Sequence, residues 1–412
     1  MHYPPRLDRH FWRVWTAAGA SSLGDGMVLV GFPLLALSYT RNAILIAGVA
    51  TAGAIPALLV ALPAGTLADR VNRRSLLIGI ELVRFAILAA FGIEVLRGAA
   101  NLPILYVTVF MLRGLSVVFD ITAGATLPTI VRPNLLVKAN AHLITAQTVC
   151  QEIAGQALGG VLFAVTSALP FVADAATFAA SAGILNRAVP DNRPDVADTS
   201  FVADLKEGLR WFGRLRLLRI LTGLIASLAF CQALVFGVIV LYATEELHMT
   251  RVGFGLLLGI SAIGTAVAAL AANQIHARLG TGWTIVTAGL AASLAYPVLS
   301  WTHSPVAAGG ALALETAGVV VGNVSARSLR QSVVPPELQG RVTSAYQMAV
   351  LTAIPLGSLA GGIMVGQIGV RETFLTAGLL QIGLLALTAP RLLASLRRQA
   401  RVASSSPTVA AA

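Results

Sequence analysis

Apolar runs long enough to cross a bilayer recur from one end of this 412-residue chain to the other, broken only by short polar or charged clusters. A membrane span needs about 20 largely apolar residues to cross a hydrocarbon core of roughly 30 Å, and in lipid its backbone must satisfy its own hydrogen bonds as helix. Windows of that kind are expected at 14–38, 42–64, 75–96, 102–121, 141–165 and 168–187, then at 218–243, 253–275, 283–301, 305–326, 343–367 and 371–391. The sequence therefore predicts an all-α polytopic membrane protein with twelve transmembrane helices. Composition agrees, since 56% of residues are apolar, 11% are charged and the mean hydropathy is +0.80, values far from those of a soluble chain of this length.

The one long polar interval, 190–217, divides the spans six and six. It reads as a central cytoplasmic linker between an N-terminal bundle (14–189) and a C-terminal bundle (218–392), with a cytoplasmic N-terminal segment (1–13) and a disordered cytoplasmic tail (393–412) outside them. A weak internal repeat supports two halves. Val131-Arg132-Pro133-Asn134-Leu135 matches Val334-Pro335-Pro336-Glu337-Leu338, each between the fourth and fifth spans of its half, and glycine pairs follow at Gly159-Gly160 and Gly361-Gly362. Parallel six-helix halves related by an axis along the membrane normal are one transporter architecture, with cargo bound at their interface.

Basic residues orient the chain, because Lys and Arg of short loops stay cytoplasmic. With both termini cytoplasmic, that side holds 23 of the 29 basic residues, the outer side only Arg41, Arg97, Arg251 and Arg371, while Arg84 and Arg113 fall within spans. The net charge of +11 is then a matter of topology and anionic membrane lipids, not of nucleic acid. No cleavable signal is apparent in the polar, basic segment before the first span. Cys150 and Cys231 both fall within spans, the six histidines show no metal-ligand spacing, and no phosphate-binding loop is present, so no enzyme activity, metal or cofactor is expected.

The loop between the second and third spans reads Gly65-Thr66-Leu67-Ala68-Asp69-Arg70-Val71-Asn72-Arg73-Arg74. It resembles the signature Gly-x-Leu-Ala-Asp-Arg-x-Gly-Arg-Lys of the major facilitator superfamily, with Asn72 in place of the second glycine; Asn tolerates a left-handed backbone better than most residues. The resemblance covers the whole chain and implies the major facilitator fold, two pseudo-symmetric six-helix bundles. Within that superfamily the chain is similar to the drug:proton antiporter branch of macrolide efflux, Tap-like multidrug and enterobactin exporters. That similarity rests on Gly24-Asp25 with Pro33, Phe119-Asp120, Leu135 to Asn140, Asp174 to Phe178, and Gly155-Gln156-Ala157-Leu158-Gly159-Gly160, where Gln156 stands in place of the usual proline. The resemblance implies a cytoplasmic gate made of Gly65, Asp69, Arg70, Arg73 and Arg74. In it Asp69 would engage the start of span eleven near Arg341, and Arg73 would pair with Asp120 at the cytoplasmic end of span four. The plainer alternative is that these arginines touch lipid headgroups, worth ~1 kcal/mol each.

An ionisable side chain in mid-span costs roughly 3 kcal/mol or more and persists when paired or useful. At about 1.5 Å per residue, Asp25, Glu152 and Glu315 lie about 15–17 Å from their span ends. They are the candidates for a carboxylate that loads and releases a proton as access alternates, Asp25 first because Gly24, Gly26 and Pro33 let its helix bend. Glu81 and Arg84 stand at i and i+3 and are expected to neutralise each other as an intramembrane charge network, with Arg113 joining from the next helix.

Candidate cargo-lining residues are Phe32, Gln147, Gln151, Gln156, Gln232, Phe236, Asn323 and Gln347, a mix that suits amphipathic small molecules. The expected activity is proton-coupled export of drug- or antibiotic-like molecules by a monomer. Import or facilitated passage of a nutrient, siderophore export, and a non-transport sensor or assembly role are the alternatives. The excess of Ala, Gly, Val, Leu and Arg over Lys fits a GC-rich bacterial genome, hence a bacterial plasma membrane.

Overall fold

The computed structural model describes residues 7–189, 216–334 and 339–405, with side chains described throughout these except at 61–70, 340, 341, 344 and 399–405. The expected linker falls almost entirely outside the described residues, as do most of the N-terminal segment and the last residues of the tail. All elements among the described residues are helical.

The first half comprises α1 (Arg9–Tyr39), α2 (Ala43–Arg70), α3 (Arg73–Leu96), α4 (Leu102–Ile130), α5 (Pro133–Val165) and α6 (Leu169–Ala188). The second comprises α7 (Arg216–Phe236), α8 (251–279), α9 (281–301), α10 (Pro305–Val333), α11 (Gln339–Ile368) and α12 (Val370–Ser405). Eleven of the described helices are long and apolar enough to cross a membrane, and the longest, Arg251–Trp301 with 51 residues, counts twice. At 1.5 Å per residue it would extend roughly 75 Å, over twice the hydrocarbon thickness. Gly280, at φ 71° and ψ 162°, breaks it into α8 and α9, a conformation that a Cβ would disfavour.

Polar residues at the span ends start the helices. Asn101 accepts the Ile104 N–H at 3.1 Å, Thr250 the Gly253 N–H at 3.1 Å and Ser304 the Ala307 N–H at 3.4 Å, each capping one of the donors a helix start leaves unpaired. Asn72 does the same for α3 through the Ser75 N–H at 3.2 Å, with φ −56°. The residue expected to supply a left-handed backbone supplies an N-cap instead, because a side-chain acceptor at this point satisfies an α3 amide that glycine would leave bare.

Several helices run past their expected ends, among them α2 to Arg70, α4 to Ile130, α10 to Val333 and α12 to Ser405, the last beyond the boundary drawn at 392. The extension of α4 matters most, because it moves Asp120 from a helix end to a position ten residues inside it. In α5 the eight residues Thr148–Gly155 form a π-helical segment containing Glu152.

Within the first half α1 and α3 pack on α6, and α2 packs on α4; in the second half α7 packs on α11 and α9 on α12. The halves meet through α5 with α8 and α2 with α11, so the second and fifth helices of each half exchange partners. At the first seam a Cβ on Gly255 would lie 2.6 Å from the Gln156 carbonyl and one on Gly160 would lie 2.7 Å from the Arg251 carbonyl, which leaves room for backbone only. At the second, Ser358 donates to the Ala47 carbonyl at 3.0 Å. Arg41 reaches Glu245 across the halves at 3.6 Å. These contacts all lie towards the membrane face that carries the α1–α2 loop.

Candidate functional site

A cavity of about 450 Å³ lies between the halves. Its wall from the first half carries the charges, Asp25 on α1 and Arg113 and Asp120 on α4, together with Phe32 and Ser116; the wall from the second half is largely apolar, with Phe236, Phe254, Leu258, Leu351 and Ile354 lining it alongside Ser261. The Ser261 hydroxyl is already bonded to the Leu258 carbonyl at 2.6 Å. Gln156 borders the cavity from α5; with its amide oriented to satisfy its neighbours, it donates to the Leu258 carbonyl at 3.1 Å and the Glu152 carbonyl at 3.0 Å.

Behind the first wall lies a buried charge cluster. Arg84 is 1% exposed and Glu81 is 0% exposed, so each needs compensation. Arg84 binds Asp25 Oδ1 through Nη2 at 2.5 Å and Glu81 Oε2 through Nη1 at 3.3 Å, with Ser21 Oγ at 3.4 Å. Its guanidinium lies 3.9 Å from the Phe178 ring centroid, within cation–π range. Ser181 donates to Glu81 Oε1 at 2.7 Å. Helix α6 supplies Asp174 as well, 0% exposed, with the Thr177 hydroxyl on its Oδ1 at 3.0 Å. A guanidinium suits such a centre because its five donors can serve several acceptors at once.

Asp25 thus belongs to both the cavity and the cluster, its side chain 25% exposed. Glu81 and Arg84 stand together. Arg113 does not join them: it projects into the cavity with Asp120, because α4 turns both residues, seven apart and two helical turns along one face, towards the opening between the halves. Arg73 and Asp120, expected to pair when the cytoplasmic side closes, have other neighbours in this structure. Arg73 donates to the Ala125 carbonyl at 3.0 Å and Arg74 to Asn186 Oδ1 at 2.8 Å, while Asp120 lines the cavity. Gly65, Asp69 and Arg70 lie on the last turns of α2 and Arg341 on the first turn of α11, but their side chains fall outside the described residues.

Glu315 is fully buried in the second half, where Gln232 Nε2 and the Tyr296 hydroxyl donate to its Oε1 at 3.0 and 3.1 Å. Glu152 is half-buried in the π-helical segment of α5. Of the expected lining residues, Phe32, Gln156 and Phe236 border the cavity. Gln232 is turned to Glu315 instead; Gln147, Asn323 and Gln347 are exposed and Gln151 is half-buried, all away from the cavity wall. Polarity marked these side chains out, yet polarity does not say which face of a helix meets the other half. Asp174 is the converse case. It stood in the sequence only as part of a family pattern, although an acid in the sixth position of an apolar 20-residue helix is also an ionisable group within a span, the kind of signal that singled out Asp25.

The profile of the Major Facilitator Superfamily matches residues 14–357. The chain is 27% identical over 405 residues to the multidrug efflux pump Tap of Mycolicibacterium fortuitum, covering 91% of this chain and 94% of that one. It is 28% identical over 410 residues to the uncharacterized MFS-type transporter YfiS of Bacillus subtilis, covering 92% of each. Among solved structures it is similar to a bacterial homologue of the iron transporter ferroportin in its inward-facing state (TM-score 0.72, 17% identity, 93% of this chain and 100% of that one). It is likewise similar to the nucleoside transporter NupG (TM-score 0.72, 13% identity, 94% and 99%).

Proposed function

Because the chain belongs to the major facilitator superfamily, we propose that this multi-pass membrane transporter exports amphipathic, drug- or antibiotic-like small molecules in exchange for protons. The observation that carries the reading is the two-sided lining of the central cavity: carboxylates and a guanidinium on the first-half wall, aromatic and aliphatic side chains on the second. A cargo with an apolar body and a polar or cationic end finds a surface for each. The naming of the Tap relative as a multidrug efflux pump points the same way.

Asp25 is the proton carrier in this reading. It faces the cavity, so water reaches it, and it faces Arg84, so its charge is felt by the buried cluster. Loading a proton there and releasing it on the other side of the membrane couples the proton gradient to cargo movement as the halves rock about the α5–α8 and α2–α11 seams. Both termini lie in the cytoplasm, the seams close the outer face, and the charged α2–α3 loop with Arg341 closes the cytoplasmic face when the outer face opens.

Proton movement on addition of ethidium, a lipophilic cation, to proteoliposomes holding the full-length protein and an imposed pH gradient tests the reading. Asp25→Asn is expected to abolish it. Unchanged proton movement in Asp25→Asn, Glu152→Gln and Glu315→Gln alike would overturn the antiport.

A further inference from the structure

Arg84 is surrounded by more carboxylate than it engages. It holds Asp25 and Glu81, yet its buried Nε has no partner, and in the same cluster the buried Oδ2 of Asp174 has none either. A donor and an acceptor left unmatched within one buried cluster is an expensive arrangement unless a second pairing exists that uses them. The geometry around Asp174 supplies that pairing. Asp174, Phe178 and Ser181 stand at i, i+4 and i+7 on one face of α6, and that face is turned to α3: Phe178 lies over the Arg84 guanidinium and Ser181 holds Glu81. Asp174 Oδ1 also presses on α1 at Gly24, the residue before Asp25, so closely that a Cβ there would overlap the carboxylate. Asp174 and Arg84 are within Coulombic reach of each other.

We propose that Arg84 is exchanged between Asp25 and Asp174, holding Asp25 while Asp25 is ionised and Asp174 once Asp25 has taken up a proton. This rests on the reading of Asp25 as the proton carrier. In the step, an O–H bond forms on the Asp25 carboxylate at the expense of hydronium in the cavity, the guanidinium keeps all its protons, and only its salt bridge changes partner. Without Asp174, protonating Asp25 would leave Arg84 with Glu81 as the one carboxylate it engages; with an ionised Asp174 to turn to, the lost bond is replaced and Asp25 binds its proton more tightly. The exchange also has a mechanical result. The bridge between α3 and α1 is traded for one between α3 and α6, which frees the cavity-lining helix α1 when the proton is bound. The other titratable and charged groups around Asp25 are Glu81 on α3, Asp120 and Arg113 on α4, and Glu152 on the segment of α5 packed against α1.

Infrared titration of the full-length protein in proteoliposomes follows the protonated-carboxyl C=O band of Asp25, identified as the band that Asp25→Asn removes. Asp174→Asn should lower the midpoint of that band by about one pH unit, a tenfold loss of proton affinity, and Asp174→Glu should restore it. Thr177→Val, which keeps side-chain volume and removes only the hydroxyl on Asp174, should lower it by a smaller amount in the same direction. In an Arg84→Gln background Asp174→Asn should no longer move the midpoint. A midpoint unmoved by both Asp174→Asn and Thr177→Val would overturn the exchange, as would a shift of the same size with Arg84 absent, since that would be direct repulsion between the two carboxylates. Absence of any band removed by Asp25→Asn would instead sink the proton-carrier reading on which the exchange stands.

Discussion

Arg84 is the residue on which most of the first half's internal electrostatics converge. Removing its charge strands the fully buried Glu81 and the partly buried Asp25, and breaking a buried ion pair from one side costs about 3–5 kcal/mol. Arg84→Gln is therefore expected to lower the thermal unfolding temperature of the detergent-purified protein well beyond the loss seen in Arg84→Lys, which keeps the charge. The sign with pH follows from what is stranded. Carboxylates without a cation are costly only when ionised, so the deficit of Arg84→Gln should shrink as the buffer is taken from about pH 8 to about pH 5; a deficit that grows on acidification would contradict this account of the cluster. In the second half Glu315 has neutral donors, Gln232 and Tyr296, on one oxygen and nothing on the other. Tyr296→Phe should thus cost about 1–2 kcal/mol, the worth of a buried hydrogen bond to such a group, whereas Glu315→Gln, which removes a buried acid and keeps an acceptor, should leave the unfolding temperature unchanged or raise it. These mid-span acids were legible in the sequence because an ionisable residue in an apolar window is conspicuous. Their partners were legible only along one helix, as with Glu81 and Arg84 at i and i+3; the bonds from Asp25 to Arg84 and from Ser181 to Glu81 join residues 59 and 100 positions apart, and no local pattern reports them.

At the scale of elements, hydrophobic windows located the spans while helix lengths decided the roles. The window at 102–121 put Asp120 at the end of span four, the place where the family resemblance implies a partner for the α2–α3 loop. Helix α4 continues to Ile130, and along this extension Thr122, Thr126 and Thr129 return their hydroxyls to carbonyls one turn back, at 2.7 Å each, so that their polar groups are satisfied within the helix. Asp120 then falls in the cavity. The glycine pair at 159–160 was read as a repeat marker, and its physical meaning is the seam, where Gly160 lies against Gly255. A side chain at either position must push α5 from α8. Gly255→Val is expected to widen the distance between nitroxide labels at Thr166 and His303, measured by pulsed electron resonance in a background with Cys150 replaced, and to do so more than Gly223→Val, whose position has open space around it.

Across the whole molecule, the two seams and the cavity form one arrangement. Each seam pairs the second helix of one half with the fifth of the other, and a cavity lined by α1, α2, α4, α5, α7, α8 and α11 sits between the halves. Twelve spans in two halves were legible from hydropathy and the central polar interval; which face the halves close on was not, because it depends on backbone approach between helices more than 300 residues apart, as with Ser358 on Ala47. If rocking about these seams carries cargo, tying one of them must stop transport without emptying the cavity. Ala47→Cys with Ser358→Cys, bridged by a short bis-thiosulfonate reagent, should therefore abolish ethidium efflux from cells while the purified protein still binds ethidium, and a reductant that cleaves the bridge should restore efflux. The single variants, treated alike, should retain it. Efflux that survives the completed bridge would mean that the α2–α11 seam does not open during transport, and the path between the halves would have to run elsewhere.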